Sequence, residues 1–357
     1  MQSVAVTGYL ATGSGALVGL LKEYSNTDTG RFPENYEQIF LYDVNGVFET
    51  IDKLIYSNSL LNSNAYINQF RAEMQRLNNI DFGWFGGYKY LCKDAFIEVI
   101  ENFINRITSY HIYADWYGTY DKKSLSIDRI VKDTVNFLLG RKKTFHNFGK
   151  KTTMIKDNKF EFSFASPKIL QDATKDLIAN YLDIFFEKDK IAVLDHFFLP
   201  QDSKRVESFT PKDFKLIMVD RDIRDLFILN KYIWVPVWGE NTYFPTDVHE
   251  FIEFTKSYRA TEEIVNCNRI LKIKFEDLIY NYETTKSIVE QFIGLDPNNH
   301  IEQYKYFDPR KSIKNTQLFN IKPEWKKESE IIKKSLSGMT YNFPYSNKTS
   351  VEELFDG

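Results

Sequence analysis

The sequence predicts an α/β fold in which helices cover both faces of a parallel sheet, and three observations support this. From Pro167 onward, short β-branched runs alternate with helix-spaced apolar residues, the pattern of successive βαβ units. The chain also opens with a strand-like run, a glycine turn and a helical run between Val4 and Leu21. Its 357 residues, 43% of them hydrophobic, can bury a large core. We therefore expect one α/β domain over residues 1–357.

The individual elements follow from local patterns of apolar residues. Strands are expected where apolar and β-branched residues cluster: Val4–Thr7, Tyr36–Tyr42, Phe160–Phe164, Lys190–Asp195, Phe214–Val219 and Ile270–Phe275. Helices are expected where apolar residues recur every three or four positions: Ala16–Tyr24, Val47–Ser57, Ala65–Leu77, Ala95–Ile107, Ile127–Leu139, Gln171–Glu187, Arg224–Lys231, Asp247–Asn266 and Phe275–Ile293. Residues 57–139 therefore read as a helical insertion or lid within the domain.

The glycine turn near the N-terminus has the geometry of an anion site. Gly8 and Gly13 keep the GxxxxG spacing of a P-loop, but Ser14-Gly15 stands where Lys-Ser/Thr would follow. Because that lysine and hydroxyl serve a metal-bound nucleotide, the remaining cradle predicts a phosphate ligand handled without metal. Two other readings are a secretory apolar segment, which the lack of a basic start disfavours, and a βα turn without ligand.

The composition disfavours several functions. The net charge of −3 provides no basic field for nucleic acid. Two cysteines do not form a disulfide framework, and the five histidines lack metal-ligand spacing, so we expect no metal. The N-terminal stretch Val4–Leu21 contains too many glycine and polar residues for a membrane span. We expect a cytoplasmic protein without an integral membrane segment, and its oligomeric state cannot be read from the sequence.

Polar residues follow three of the predicted strands, at the edge where open parallel sheets bind ligands. Arg221 follows Phe214–Val219 and is suited to binding an anion through two N–H groups. We interpret Asp222 and Asp225 as a solvated first helical turn, with Arg224 pairing to Asp225. Asp195-His196 ends another strand, and the glycine turn follows the first.

Four segments together resemble sulfotransferases that use 3′-phosphoadenosine 5′-phosphosulfate (PAPS). GYLATGSGALVGLL resembles the loop that holds the 5′-phosphosulfate, and LIMVDRDIRDLF resembles the strand that leads to the 3′-phosphate arginine. Leu271–Asp296 is similar to the family's strand–Glu-Asp-Leu–helix segment, and Phe307–Leu318 to its late basic loop. They occur in the family's order, whereas Ser57–Ser166 shows no signature.

The resemblance implies a P-loop-type α/β fold and metal-free sulfuryl transfer from PAPS, with PAP as the product. It implies that Arg221 binds the 3′-phosphate. The residues implied to cradle the 5′-phosphosulfate are Thr12, Gly13, Ser14, Gly15 and Ala16. Those implied to contact the nucleotide from the late loop are Ser312, Lys314 and Asn315.

Two positions depart from the family's pattern. Gly13 stands where the family commonly has Lys or Arg, and Leu229 where it has a serine. Charge that develops on the bridging oxygen therefore needs another donor, for which Lys314 is the candidate. Asn230 or Lys231 could replace the serine.

The reaction also needs a base for the acceptor's proton, and the family uses His or Glu. Glu37 is the preferred candidate because related bacterial enzymes place a carboxylate in the corresponding run, although an exposed strand residue is the common fate of a lone Glu. His196 is the second candidate, and its alternative is a structural histidine at a strand end.

Two rival functions remain open. Lys190–Asp195 (KIAVLD) resembles a Walker B strand and fits a P-loop kinase or NTPase, which would need the missing lysine. The fold could also survive as a non-catalytic carbohydrate-binding protein. For the sulfotransferase, a carbohydrate or glycolipid hydroxyl in a bacterial protein is the expected acceptor, with a lipid or sterol still open.

Overall fold

The computed structural model describes residues 1–33, 36–80, 83–113, 138, 142–147, 150–155, 159–238, 244–263, 265, 267–347, 349–351 and 354. The strands within these ranges are β1 (Ser3–Gly8), β2 (Thr27–Asp28), β3 (Tyr110–Tyr113), β4 (Lys142–Asn147), β5 (Lys150–Ile155), β6 (Lys159–Phe162), β7 (Ile191–Asp195), β8 (Phe214–Asp220) and β9 (Ile270–Lys274).

Helices lie between many of these strands and after the last of them. Within the same ranges they are α1 (Ser14–Lys22), α2 (Val47–Tyr56), α3 (Leu60–Asn79), α4 (Tyr88–Cys92), α5 (Ala95–Ile107), α6 (Pro167–Phe185), α7 (Val206–Phe209), α8 (Ile223–Ile228), α9 (Val235–Trp238), α10 (Val248–Ala260), α11 (Asp277–Tyr280), α12 (Tyr282–Ile293), α13 (Pro309–Ser312) and α14 (Pro323–Ser335).

The central sheet has the order β2-β7-β1-β8-β9, and every pair in it is parallel. β1 lies in the middle, with Val6 in register with Asp195 of β7 on one side and Ile217 of β8 on the other. The carboxyl ends of β7, β1 and β8 therefore meet at one edge. This sheet, its helices and the strand–glycine loop–helix unit confirm the predicted P-loop-type α/β class.

Hydrophobic cores cover both faces of the sheet because successive residues of β1 point in opposite directions. Val4 and Val6 pack with Leu17 and Leu20 of α1, whereas Ala5 packs into the aromatic-rich cluster that contains α6. The aromatic-rich cluster also includes residues of α2, α3 and α5, so these helices share a core with the sheet.

Caps set the ends of several helices. Ser166 accepts a hydrogen bond from the Ile169 N–H at the start of α6, and Pro167 occupies its first turn. Asp247 accepts from two N–H groups at the start of α10. α12 ends at Gly294, whose φ of 89° is the left-handed conformation that glycine tolerates.

Residues 36–42 depart from the prediction. They form an irregular segment with a single 3₁₀ turn at Ile39–Leu41, not a strand. Their apolar residues were misleading because they are buried without strand pairing: Tyr36, Phe40 and Leu41 belong to the aromatic core. The Tyr36 hydroxyl donates to the Gly86 carbonyl over 2.7 Å.

The predicted insertion at 57–139 is described in part. Residues up to 113 form α3, α4, α5 and β3, and β3 pairs antiparallel with β6. The predicted helix Ile127–Leu139 lies outside the described residues except for Leu138, which is helical. β4 and β5 pair with each other in an antiparallel hairpin.

Candidate functional site

The glycine loop between β1 and α1 is tightly closed. The Thr12 hydroxyl donates to the Val219 carbonyl over 2.7 Å and accepts the Tyr9 N–H over 3.0 Å, which ties the loop to β8. Gly13 precedes α1 with φ 90°, and a Cβ there would lie 2.4 Å from the Phe275 ring. A side chain at Gly13 is therefore excluded both by conformation and by space.

The N-terminus of α1 has the character of an anion cradle. Within the described ranges, no acceptor meets the backbone N–H groups of Gly13, Ser14 and Gly15. No acidic residue occupies the first turn of this helix. The N–H of Ala16, also predicted for the cradle, already donates to the Gly13 carbonyl over 3.1 Å. Three free N–H groups at a helix start favour a phosphate or sulfate.

Arg221 lies beside this loop, directly after the carboxyl end of β8. Its Nη1 donates to the Ala11 carbonyl over 3.4 Å, and its Nη2 donates to the Asn315 carbonyl. The guanidinium lies 4.9 Å from the centre of the Phe275 ring. The side chain is buried, yet its Nε has no hydrogen-bond partner among the described residues. The arginine thus contacts both the first and the late predicted segments.

The acidic residues next to Arg221 contradict our interpretation of a solvated helical turn. Asp222 and Asp225 are fully buried. Asp222 pairs with Arg224, so the predicted Arg224–Asp225 pair is wrong. The carboxylate of Asp225 instead accepts the backbone N–H groups of Gln317 and Leu318, over 2.7 Å each. These carboxylates bind the start of α8 to the C-terminal part of the chain.

Burial changes the proton affinity of this acidic cluster. Burial, together with the charge of Asp222, raises the pKa of Asp225 to about 7. Burial likewise raises the pKa of Glu276 to about 8, although its Oε1 accepts the Asp222 N–H over 2.8 Å. Burial lowers the pKa of Arg221. Burial thus raises the proton affinity of two carboxyl groups near Arg221, those of Asp225 and Glu276.

The late segment lies against Arg221 through its backbone. Ser312 ends α13, and Ile313–Asn315 forms a single 3₁₀ turn that carries Lys314. All of these residues are half-buried. The carbonyl of Asn315 accepts from Arg221, whereas the Lys314 ammonium makes no hydrogen bond or ion pair among the described residues.

The other side of the glycine loop, at the end of β7, carries titratable groups. Asp195 Oδ1 lies 2.8 Å from His196 Nδ1, and Glu37 Oε1 lies 4.0 Å from the same nitrogen. His196 Nε2 faces the Ser14 hydroxyl at 3.4 Å. The carboxylate of Asp195 favours the tautomer with a proton on Nδ1, which leaves Nε2 as the basic atom. Both predicted bases therefore lie together beside the anion cradle.

The environment raises the pKa of both predicted bases. Burial alone would lower the pKa of His196, but the hydrogen bond to Asp195 and the charges of Asp195 and Glu37 outweigh it and raise that pKa. Burial raises the pKa of Glu37, while the charge of His196 opposes this and that of Asp195 adds to it. Such groups in a cleft are candidates for acid–base chemistry.

Sequence reasoning missed the role of Asp195. Adjacent strand residues point to opposite faces, so Asp195 and His196 are not expected to pair. They pair because His196 leaves the strand with a left-handed φ of 46°. The adjacency of the two residues at a predicted strand end is the signal that could have indicated the pair.

The two proposed substitutes for the missing serine have other partners. Asn230 is buried and donates to the Phe244 carbonyl over 2.9 Å. Lys231 pairs with Glu328 over 2.6 Å. Both lie in the segment Leu229–Trp234, which has π-helical hydrogen bonding.

Within the described part of the chain, no group of three or more His, Cys, Asp or Glu side chains could hold a metal ion. None of its helices is long and apolar enough to cross a membrane. Cys92 and Cys267 are not joined in a disulfide.

No family model matches the chain, and no curated protein is similar to it in sequence. Among solved structures, the sulfotransferase domain from the Synechococcus PCC 7002 olefin synthase is 9% identical, with a TM-score of 0.40 over 96% of this chain and 95% of that chain. The sulfotransferase domain from the curacin biosynthetic pathway is 14% identical, with a TM-score of 0.38 over 96% and 99%. Similarity this low does not indicate a function for this chain.

Proposed function

We propose that this chain is a sulfotransferase that moves the sulfuryl group of PAPS to a hydroxyl group of a carbohydrate or glycolipid without a metal ion. The observation that carries the proposal is the position of Arg221. Its buried guanidinium touches the glycine loop at Ala11 and the late segment at Asn315, and its Nε is unpartnered within the described residues.

The residues fit a nucleotide with two anionic ends. The N–H groups of Gly13, Ser14 and Gly15 suit the 5′-phosphosulfate, because a helix start stabilises negative charge. Arg221 suits the 3′-phosphate, because a guanidinium can donate two parallel hydrogen bonds to it. In this proposal the late segment with Ser312, Lys314 and Asn315 covers the nucleotide.

The order of strands separates the two halves of the proposed reaction. β1 carries the glycine loop, β8 leads to Arg221 on one side, and β7 leads to His196 on the other. Neighbouring strands are about 5 Å apart, so the two ends lie roughly 10 Å from each other. The nucleotide would occupy the β8 side, and the acceptor would approach from the β7 side.

PAPS, when bound, supplies the sulfuryl group, and the acceptor oxygen displaces PAP from sulfur. His196 Nε2 would take the acceptor's proton because it faces Ser14, whereas Glu37 is near Nδ1 on the other part of the ring. Asp195 would orient the ring and stabilise the imidazolium. Lys314 and the start of α1 are the proposed donors to the leaving oxygen.

Binding of PAP in the presence of a chelator tests the proposal. At roughly a thousand times its dissociation constant, a ligand stabilises a fold by about 4 kcal/mol, which gives a clear rise in melting temperature. We expect this rise with PAP in the presence of EDTA. We also expect transfer of the label from radiolabelled PAPS to an acceptor. A rise with ATP that requires Mg²⁺, together with no response to PAP, would instead favour a P-loop kinase.

A further inference from the structure

A cleft of about 400 Å³ lies beside the carboxyl-terminal half of β7. β2 pairs only with Ile191 and Ala192, so within the described residues no strand covers Val193–Asp195 on that side. One wall of the cleft is a face of α1 from Gly15 to Lys22. The other wall is formed by Thr29, Phe32, Pro33, Tyr36 and Gln38. Its volume is typical of small-molecule sites.

The cleft touches the proposed reaction centre at two points. Gly15 lines the cleft and belongs to the first turn of α1, whose N–H groups form the proposed anion site. Asp195 lines the cleft, and its Oδ1 lies 2.8 Å from His196 Nδ1. A hydroxyl group bound here is therefore near the proposed sulfuryl donor and near Asp195, the carboxylate that contacts the proposed base.

The side chains that line the cleft include hydrogen-bond acceptors without a partner among the described residues. Gln38 is 2% exposed, and its Oε1 has no partner in the part of the chain that the structure describes. The Oδ1 atom of Asp195 is used by His196, whereas Oδ2 has no described hydrogen-bond partner. Two acceptors in one small cleft favour a ligand with several hydroxyl groups over a ligand with one.

The mouth of the cleft carries a positive charge. Lys22 is exposed, and its Nζ lies 4.3 Å from the centre of the Tyr306 ring. No described carboxylate lies within ion-pair distance of Lys22. Phe32 and Tyr36 provide aromatic surface deeper in the cleft. An anionic substituent would meet Lys22 while a ring packs against the aromatic side chains.

We propose that this cleft is the acceptor site and that the acceptor is an anionic sugar, a hydroxyl-rich ring that carries a carboxylate or a phosphate. The inference rests on the proposed function, since it takes the β7 side as the acceptor side. Lys22 recognises the anionic group, Gln38 and Asp195 accept hydrogen bonds from ring hydroxyls, and the free hydroxyl nearest Gly15 is the one that attacks sulfur.

Binding of small probes to the chain in the presence of PAP is measured by ligand-observed NMR. The probes are glucuronate, glucose 6-phosphate, glucose and 4-nitrophenol. We expect one or both anionic sugars to bind more tightly than glucose, and the preferred one tells carboxylate from phosphate. Lys22→Gln should weaken that anionic sugar about fivefold, the effect of a partly exposed ion pair, and leave glucose unchanged. Gln38→Leu should weaken all the sugars.

Lys305→Gln is the matched control. Lys305 also lies over the Tyr306 ring, at 4.9 Å, but it pairs with Glu302 and does not line the cleft. We expect it to bind like the wild type. Equal binding of glucose and both anionic sugars, tightest binding of 4-nitrophenol, or equal effects of the two lysine variants would overturn the inference.

The PAP-induced melting shift, measured on the same samples, separates this inference from the proposed function. A normal PAP shift without sugar binding overturns the acceptor site and leaves the nucleotide proposal standing. Binding of an anionic sugar that depends on Lys22, without any PAP shift, supports the cleft as a sugar site and contradicts sulfuryl transfer.

Discussion

The two sides of the glycine loop are built differently. On the β8 side, Arg221 and its neighbouring carboxylates are buried and are bound by backbone groups from distant parts of the chain. On the β7 side, the side chains of His196 and Glu37 are partly exposed, and His196 lies against the carboxylates of Asp195 and Glu37. This difference fits the proposal that the β8 side binds the nucleotide, whereas the β7 side carries the base for the acceptor.

The largest expected effect is on the β7 side. His196→Asn should lower sulfuryl transfer by about 10²–10⁴-fold, because the proton acceptor is lost, while PAP binding remains. Glu37→Gln, the matched variant of the other predicted base, should have a smaller effect. Turnover and PAP-induced melting shifts measure the two properties. A greater loss in Glu37→Gln would return the base to Glu37.

Next in size is a test of burial on the β8 side. Asp222–Arg224 and Asp308–Arg310 share one local motif, in which an aspartate at a helix start accepts the N–H and the guanidinium of the arginine two residues later. The arginine side chain is 7% exposed in the first pair and 72% exposed in the second.

Arg224→Ala should destabilise the fold by about 3–5 kcal/mol, since it leaves Asp222 buried without its partner. Arg310→Ala should cause a change too small to resolve, because water replaces the lost contact. Urea denaturation of both variants provides the comparison. Similar losses in both would contradict the distinct character of the buried side.

The conformation of the loop gives an intermediate effect. Gly13→Ala should destabilise by at least about 2 kcal/mol, because the residue needs a positive φ and its Cβ would overlap the Phe275 ring. Gly15→Ala is the control, since its Cβ meets no atom within 4 Å. Urea melts should find Gly15→Ala equal to or slightly more stable than the wild type. Equal destabilisation of both would remove Gly13's special role.

The smallest expected effect concerns pH. The folded pKa of Glu276, about 8, lies above its ordinary value, so the folded state binds the extra proton and loses stability as pH rises from about 4.5 to about 8. Glu276→Gln should remove this loss, which is about 2 kcal/mol between about pH 6 and pH 8. Urea melts across this range test it, and an unchanged slope would contradict it.

Much of the fold could be predicted because buried parallel strands are continuous apolar runs. Lys190–Asp195 and Phe214–Val219 were predicted within a residue of β7 and β8. The run Tyr36–Tyr42 misled because burial in an aromatic cluster produces the same local composition as a strand. Only tertiary contacts distinguish the two.

For the candidate site, the sequence predicted which residues lie close together better than it predicted their contacts. Arg221 beside the glycine loop follows from parallel strands that end at one edge. The burial of Asp222 and Asp225 could not be read, because their partners Gln317, Leu318 and Tyr341 are about a hundred residues away. The Asp195–His196 pair depends on a single backbone angle that the residue types do not specify.

The central claim is that Arg221 and the start of α1 hold opposite ends of one nucleotide. Its most direct test compares the affinities of PAP and adenosine 5′-phosphate, which lacks the 3′-phosphate, for the wild type and Arg221→Gln. We predict that the wild type prefers PAP, and that Arg221→Gln loses this preference while it still binds adenosine 5′-phosphate. An unchanged preference for PAP in the Arg221→Gln variant would contradict the claim.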